Sequence, residues 1–177
     1  MVNLVTTLFR EFLNICLLKR TPQELPASQA LFAITLAASF AGSMLVASSG
    51  MAWPAAMQSA VLETLFMLAA VYAILRVYGR PARWLQTVTA VAGTNTLLVI
   101  ISLPLLSWLL TLREQQMDAT VPSLLFLGLV FWNLLVLGHI FRHALSTYLP
   151  VGVMTALGYY LLSIMLVNWL APTTVTG

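Results

Sequence analysis

The chain has 177 residues, of which 60% are hydrophobic and only 7% charged, with a formal net charge of +3. A soluble domain carries roughly 25% charged residues, so water cannot be the solvent around most of this surface, and so few positive charges exclude a nucleic-acid footprint. Lipid fits the composition, and the expected fold class is all-α: an integral membrane bundle.

The first 28 residues are the most polar part. In LVTTLFREFLNICLLKR, Asn3 (just before it), Thr7, Arg10 and Asn14 recur at helical spacing, with Leu4, Val5, Leu8, Phe12 and Ile15 elsewhere around the axis. This is an amphipathic helix, lying in the membrane interface or docked on the bundle, with Lys19 and Arg20 at its C-terminal end and Pro22 and Pro26 breaking it. Cys16 reads as a small buried hydrophobe rather than a reactive thiol. No secretory signal pattern is expected ahead of the first apolar run.

Five segments then reach the length of about 20 residues that a spanning helix needs: 29–49, 56–76, 87–110, 122–141 and 149–170. SSGMAWP, RVYGRPARW, TLREQQMDATVPS and HIFRHAL separate them, and residues 171–177 form a short tail. With the N-terminus inside, Arg10, Lys19, Arg20, Arg76, Arg80, Arg83 and Arg142 share the inner side, and only Arg113 falls outside. Basic residues stay cytoplasmic. The expectation is therefore a multi-pass membrane protein, N-terminus cytoplasmic and C-terminus outside.

Within the spans, Glu63 is the costly residue, because a charge at mid-membrane depth costs roughly 2.5–3.5 kcal/mol on insertion scales. It must face the bundle interior or a water-filled cavity, or carry a proton. It is either a relay or substrate contact, or a hydrogen bond that fixes packing. Asn95, Thr94, Asn133, Thr35 and Ser39 are its candidate partners, and Asn133, at nearly the same depth, suggests an amide–carboxyl contact between the second and fourth spans. His139 and His143 share a helical face beside Arg142, but zinc needs three or four ligands and HExxH is absent. The pair reads as the basic, wet end of a helix at the headgroups, or else as a pH-sensitive or partner-binding patch. Arg76, Arg80 and Arg83 around the Gly79–Pro81 turn, with Trp84 as interfacial anchor, extend that basic rim toward lipid phosphate. Ala38/Gly42, Ser39/Ser43, Ala56/Ala60 and Gly152/Ala156 have the spacing of close helix contacts. Gly158–Tyr160 and Asn168 read as packing and interface anchoring. No nucleotide fingerprint, thiol redox pair, catalytic set, metal cluster or cofactor motif stands out.

The order of these features resembles the Yip1-domain family of small five-span membrane proteins. The likeness rests on TPQELPAS before the first span, on GRPARWLQTVTAVAGTNTLLVIISLP with Gly79, Trp84, Gln86 and Gly93, and on IFRHALSTYLPVGVMTAL after the fourth. It implies a cytoplasmic N-terminus and a C-terminus outside. In eukaryotic members it implies vesicle trafficking with Rab-type GTPases, but their acidic DLYGP-like motif and long N-terminal region have no counterpart, and the chain looks like a compact bacterial member. Two functions follow as expectations. The leading one is a non-enzymatic scaffold for a protein partner or for surrounding lipid, working through the amphipathic helix and basic rim. The alternative is an oligomeric transporter or channel component in which Glu63, Asn95 and Asn133 line an intramembrane path.

Overall fold

The computed structural model describes residues 2–170; the tail 171–177 and the side chains of 2–5 and of Asn168 lie outside the described residues, and with them the readings of Asn3, Leu4, Val5 and Asn168. Six α-helices follow in order: α1 (Val2–Cys16), α2 (Gln29–Ser48), α3 (Trp53–Val77), α4 (Trp84–Glu114), α5 (Thr120–Leu145) and α6 (Leu149–Leu170). The last five are each long and apolar enough to cross a membrane. Between 11% and 33% of each apolar stretch is buried inside the protein, so most of its apolar surface needs lipid around it.

Local chemistry sets the helix ends. The Ser28 hydroxyl accepts the Leu31 N–H at 3.3 Å to cap α2. Pro54 opens α3, and the turn at Gly79, with φ +69°, ends it. A 3-10 turn at Pro81–Arg83 leads into α4, and Ser146 in the left-handed region closes α5. Each of the five expected segments falls on one long apolar helix, but the boundaries move: α3 begins at Trp53 rather than 56, α4 runs from Trp84 to Glu114 rather than over 87–110, and HIFRHAL is the end of α5 rather than a separating stretch. At 1.5 Å per residue α4 is about 46 Å long, well over the roughly 30 Å hydrocarbon layer.

Packing neighbours close a ring in the order α2, α3, α6, α5, α4, with α4 also touching α3. One end of the ring is basic: Arg76, Arg80, Arg83 and Arg142 gather there with the N-terminal segment. At that end Thr87–Thr94 of α4 are buried without a break. A helix can be surrounded like this only if its side chains are small, and TVTAVAGT supplies that. Its hydroxyls are satisfied by the preceding turn: Thr87 donates to the Arg83 carbonyl at 2.8 Å, Thr89 to Leu85 at 2.7 Å and Thr94 to Ala90 at 2.8 Å. Close approach recurs between α5 and α6, where a Cβ on Gly152 would collide with the Gly138 carbonyl.

The N-terminal helix docks on this end. Phe12, Ile15 and Cys16 are buried against α4 and α5, whereas Phe9, Leu13 and Leu17 form an exposed apolar stripe at i, i+4, i+8. The Phe12 ring fills the space that a side chain on Gly93 would need. The helix stops at Cys16, before the prolines expected to break it, because Leu18 turns left-handed (φ 60°) and redirects the chain beneath α5. Lys19 and Arg20 therefore lie beyond the helix. Arg20 binds Glu11 at 2.8 Å and Glu24 at 3.5 Å, and the Thr21 N–H, first among several partners, holds the exposed Glu24 carboxyl below its ordinary range.

Burial pushes the Cys16 thiol up to about 11, leaving little thiolate to react at neutral pH. Gly93→Leu should displace Phe12 and lift α1 off the bundle. The check is the rate of Cys16 alkylation at pH 7.5, expected to rise by about tenfold or more, because each tenfold step needs only about 1.4 kcal/mol of lost docking. An unchanged rate in a folded variant would mean that α1 is not held there.

Candidate functional site

The ring encloses a polar cavity of about 80 Å³, enough for a few water molecules. All five spanning helices line it. Ser39 and Ser43 come from α2, Glu63 from α3, Thr94 and Asn95 from α4, Asn133 from α5, and Tyr159, Tyr160 and Ser163 from α6. Ser43 and Glu63 face this cavity from neighbouring helices α2 and α3. Asn95 donates its amide to Ser39 Oγ at 2.9 Å, and Asn133 donates to the Tyr160 hydroxyl at 2.8 Å. With the amide nitrogens occupied, the two amide oxygens remain as acceptors beside the two carboxyl oxygens. Among the described residues, the ion pairs are those of Arg20 with Glu11 and Glu24, and Glu63 has no basic partner.

A second cavity of about 290 Å³ shares Ser43, Glu63, Asn95, Asn133 and Tyr160 with the first. Its remaining lining steps away from the basic end on every helix that contributes: Val46 and Ala47 on α2, Ser59 on α3, Leu98 and Val99 on α4, Phe126 and Leu129 on α5. In the other direction the first cavity ends on Met67, Val91 and Leu137, all buried in the core cluster with Val71, Val88 and Phe141. Glu63 thus sits at the blind end of a vestibule that is plugged toward the basic end and extends toward the opposite one.

Glu63, Asn95 and Asn133, singled out in the sequence, come together in one chain. The direct contact between Glu63 and Asn133 does not form. Their helices α3 and α5 are not adjacent in the ring, and Asn133 spends its amide on Tyr160. Ser39 joins the site through Asn95, while the Thr35 hydroxyl turns back to its own helix at Leu31 and Phe32. Tyr159, Tyr160 and Ser43 were read as packing residues. The available signal was position: tyrosines of spanning helices favour the two interfaces, and this pair stands at mid-helix.

The basic end is less free than its charges suggest. His139 is buried and shares a 2.9 Å hydrogen bond between Nε2 and the Arg20 carbonyl, so it does not face headgroups. Its ring centroid lies 4.6 Å from that of His143, and among the described residues no group of three His, Cys, Asp or Glu gathers to hold a metal. Arg83 Nη1 reaches the carbonyls of His143 (3.1 Å) and Ala144 (2.9 Å) and Ser146 Oγ (2.8 Å), stitching the α3–α4 turn to the end of α5. Gln23 donates to the His143 carbonyl at 2.6 Å and Gln86 to the Leu25 carbonyl at 2.9 Å. Arg76 and Arg80 remain exposed, Arg76 donating to the Tyr72 hydroxyl at 3.3 Å, and Arg142 is half-buried.

Because Arg83 is partly exposed, its charge-assisted bonds should contribute less than the full 1.5–3 kcal/mol of a buried set. Arg83→Ala is expected to cost about 1 kcal/mol, read as a lower thermal midpoint in detergent. A midpoint equal to wild type would mean that the clamp holds nothing.

Comparison with known proteins found no matching family model, no matching curated protein and no matching solved structure.

Proposed function

We propose that this chain is a membrane transport component whose working residue is Glu63, taking up a proton or cation from the end of the bundle opposite the basic rim. The arginines support a cytoplasmic basic end, and on that orientation the vestibule faces outward. The observation that carries the reading is the vestibule itself: an acid with no countercharge, at the blind end of a polar cavity built by all five spanning helices. A carboxylate there is costly, and a bound proton or cation removes the cost. A dry packing hydrogen bond would need no vestibule.

The scaffold reading draws on the amphipathic helix and the basic rim. Much of that equipment is engaged internally, α1 against α4 and Arg83 with α5, which is why it ranks second. The likeness to Yip1-domain proteins is kept as a proposal about ancestry, supported by the order of five spans after an inward N-terminal segment, and it assigns no reaction.

Proteoliposomes containing a pH-sensitive dye, with an imposed potassium diffusion potential, provide the test. Wild-type protein should carry protons, and Glu63→Gln should lower that flux by about tenfold or more, the scale expected when a positioned proton carrier is lost. Equal fluxes from two proteins with the same thermal midpoint would sink the reading. On a Cys16→Ala background, Ser59→Cys should react with a membrane-impermeant thiol reagent added outside intact cells. Reaction only from the cytoplasmic side would reverse the orientation.

A further inference from the structure

The vestibule is not uniform along its length, and the change describes its ligand. The blind end is polar, with the Glu63 carboxyl and the Asn95 and Asn133 amide oxygens as acceptors. One to two helical turns outward, the walls are mostly apolar, Leu98, Val99, Phe126, Leu129 and Val130, with Ser59 and Ser102 among them. Leu129 also lines an apolar groove of about 480 Å³ on the outer surface between α4 and α5, with Ile101, Pro104, Leu105, Trp108 and Leu125. Its side chain is thus a wall common to the vestibule and to a surface that lipid covers.

Resting on the reading of Glu63 as the working site, we propose that its ligand is an amphiphilic primary ammonium, which enters sideways from the outer half of the bilayer past Leu129. The sign of the charge follows from the acid without a basic partner, since an anion would find no Lys or Arg to meet it. The primary amine follows from the acceptors: three N–H donors match the carboxyl and the two amide oxygens, which a quaternary ammonium would leave unpaired. The tail follows from the apolar walls, which gain from an alkyl chain and nothing from a bare ion. The lateral route follows from Leu129 and from the exposed flank of α5, where Leu124 and Leu125 face outward. A proton on Glu63 and the ammonium then compete for one carboxylate, so loading the ligand releases about one proton per site, the usual basis of exchange between two cations.

Full-length wild-type protein in lipid nanodiscs, titrated with hexylammonium by calorimetry in buffers of different ionisation enthalpy, provides the test. Binding with release of about one proton is expected, while 1-hexanol and ammonium chloride each bind at least about tenfold more weakly, since either the charge or the tail is missing. Hexylammonium should also slow alkylation of Ser59→Cys on the Cys16→Ala background, a readout that leaves Glu63 untouched. Glu63→Gln should abolish the preference for hexylammonium over hexanol. Equal binding of hexanol would overturn the proposal in favour of an apolar slot, and equal binding of ammonium chloride would overturn it in favour of an inorganic cation site. Proton flux that depends on Glu63, without any hexylammonium binding, would remove this inference and leave the transport reading standing. Loss of that flux would remove both.

Discussion

The close approach of helices around Thr87–Thr94 is the constraint on which the rest of the structure depends. An apolar helix in lipid gains little from hydrophobic association with another, so contact has to come from small side chains that let backbones near one another. TVTAVAGT meets that condition on every side of α4. Phe12 can therefore sit on Gly93, and α1 closes the same end from beneath. Further along α4 the residues enlarge to leucine, isoleucine and tryptophan, and the helix contributes far less to the core. Tight packing at one end and looser packing at the other turn a ring of helices into a vestibule with a floor.

That floor gives Glu63 its character. The carboxyl lies where the small, hydroxyl-rich packing ends and the larger apolar side chains begin. The cavity extends from it toward the end opposite the arginines, and Met67, Val91 and Leu137 close it on the other side. Asn95 and Asn133 are oriented by Ser39 and Tyr160 rather than by the carboxyl. Their acceptors are thereby held in place before any ligand arrives, which lowers the ordering cost of binding. The site is polar, electron-rich and short of positive charge, and these properties belong to the assembled ring rather than to any one helix.

The basic end illustrates how position changes the meaning of a charge. Counted along the sequence, its arginines and histidines form a rim for lipid phosphate. In the folded chain Arg83 spends its guanidinium on the carbonyls that end α5, and His139 lies beneath the Arg20 carbonyl. Helix ends carry unpaired carbonyls, and the nearest cations are drawn to them before lipid can compete. Arg76 and Arg80 stay exposed at the turn between α3 and α4. Leu18 is a parallel case in the backbone: its left-handed turn, invisible to a reading based on prolines, lets the N-terminal segment reach under α5.

The sequence by itself determined the solvent, the presence of five long apolar helices, the Gly79 turn, the amphipathic α1, the burial of Cys16 and the suspicion attached to Glu63. All of these rest on properties that act along one segment: transfer cost, periodicity and turn chemistry. Only the tertiary structure decided that α1 docks, that Glu63 and Asn133 face a common cavity across non-adjacent helices, and that Tyr160 and Ser43 belong to the site. Each of those depends on which faces of separate helices meet. Five helices that are apolar all round present no dominant face to lipid, so their rotation and order are set by small-residue contacts between segments far apart in the chain.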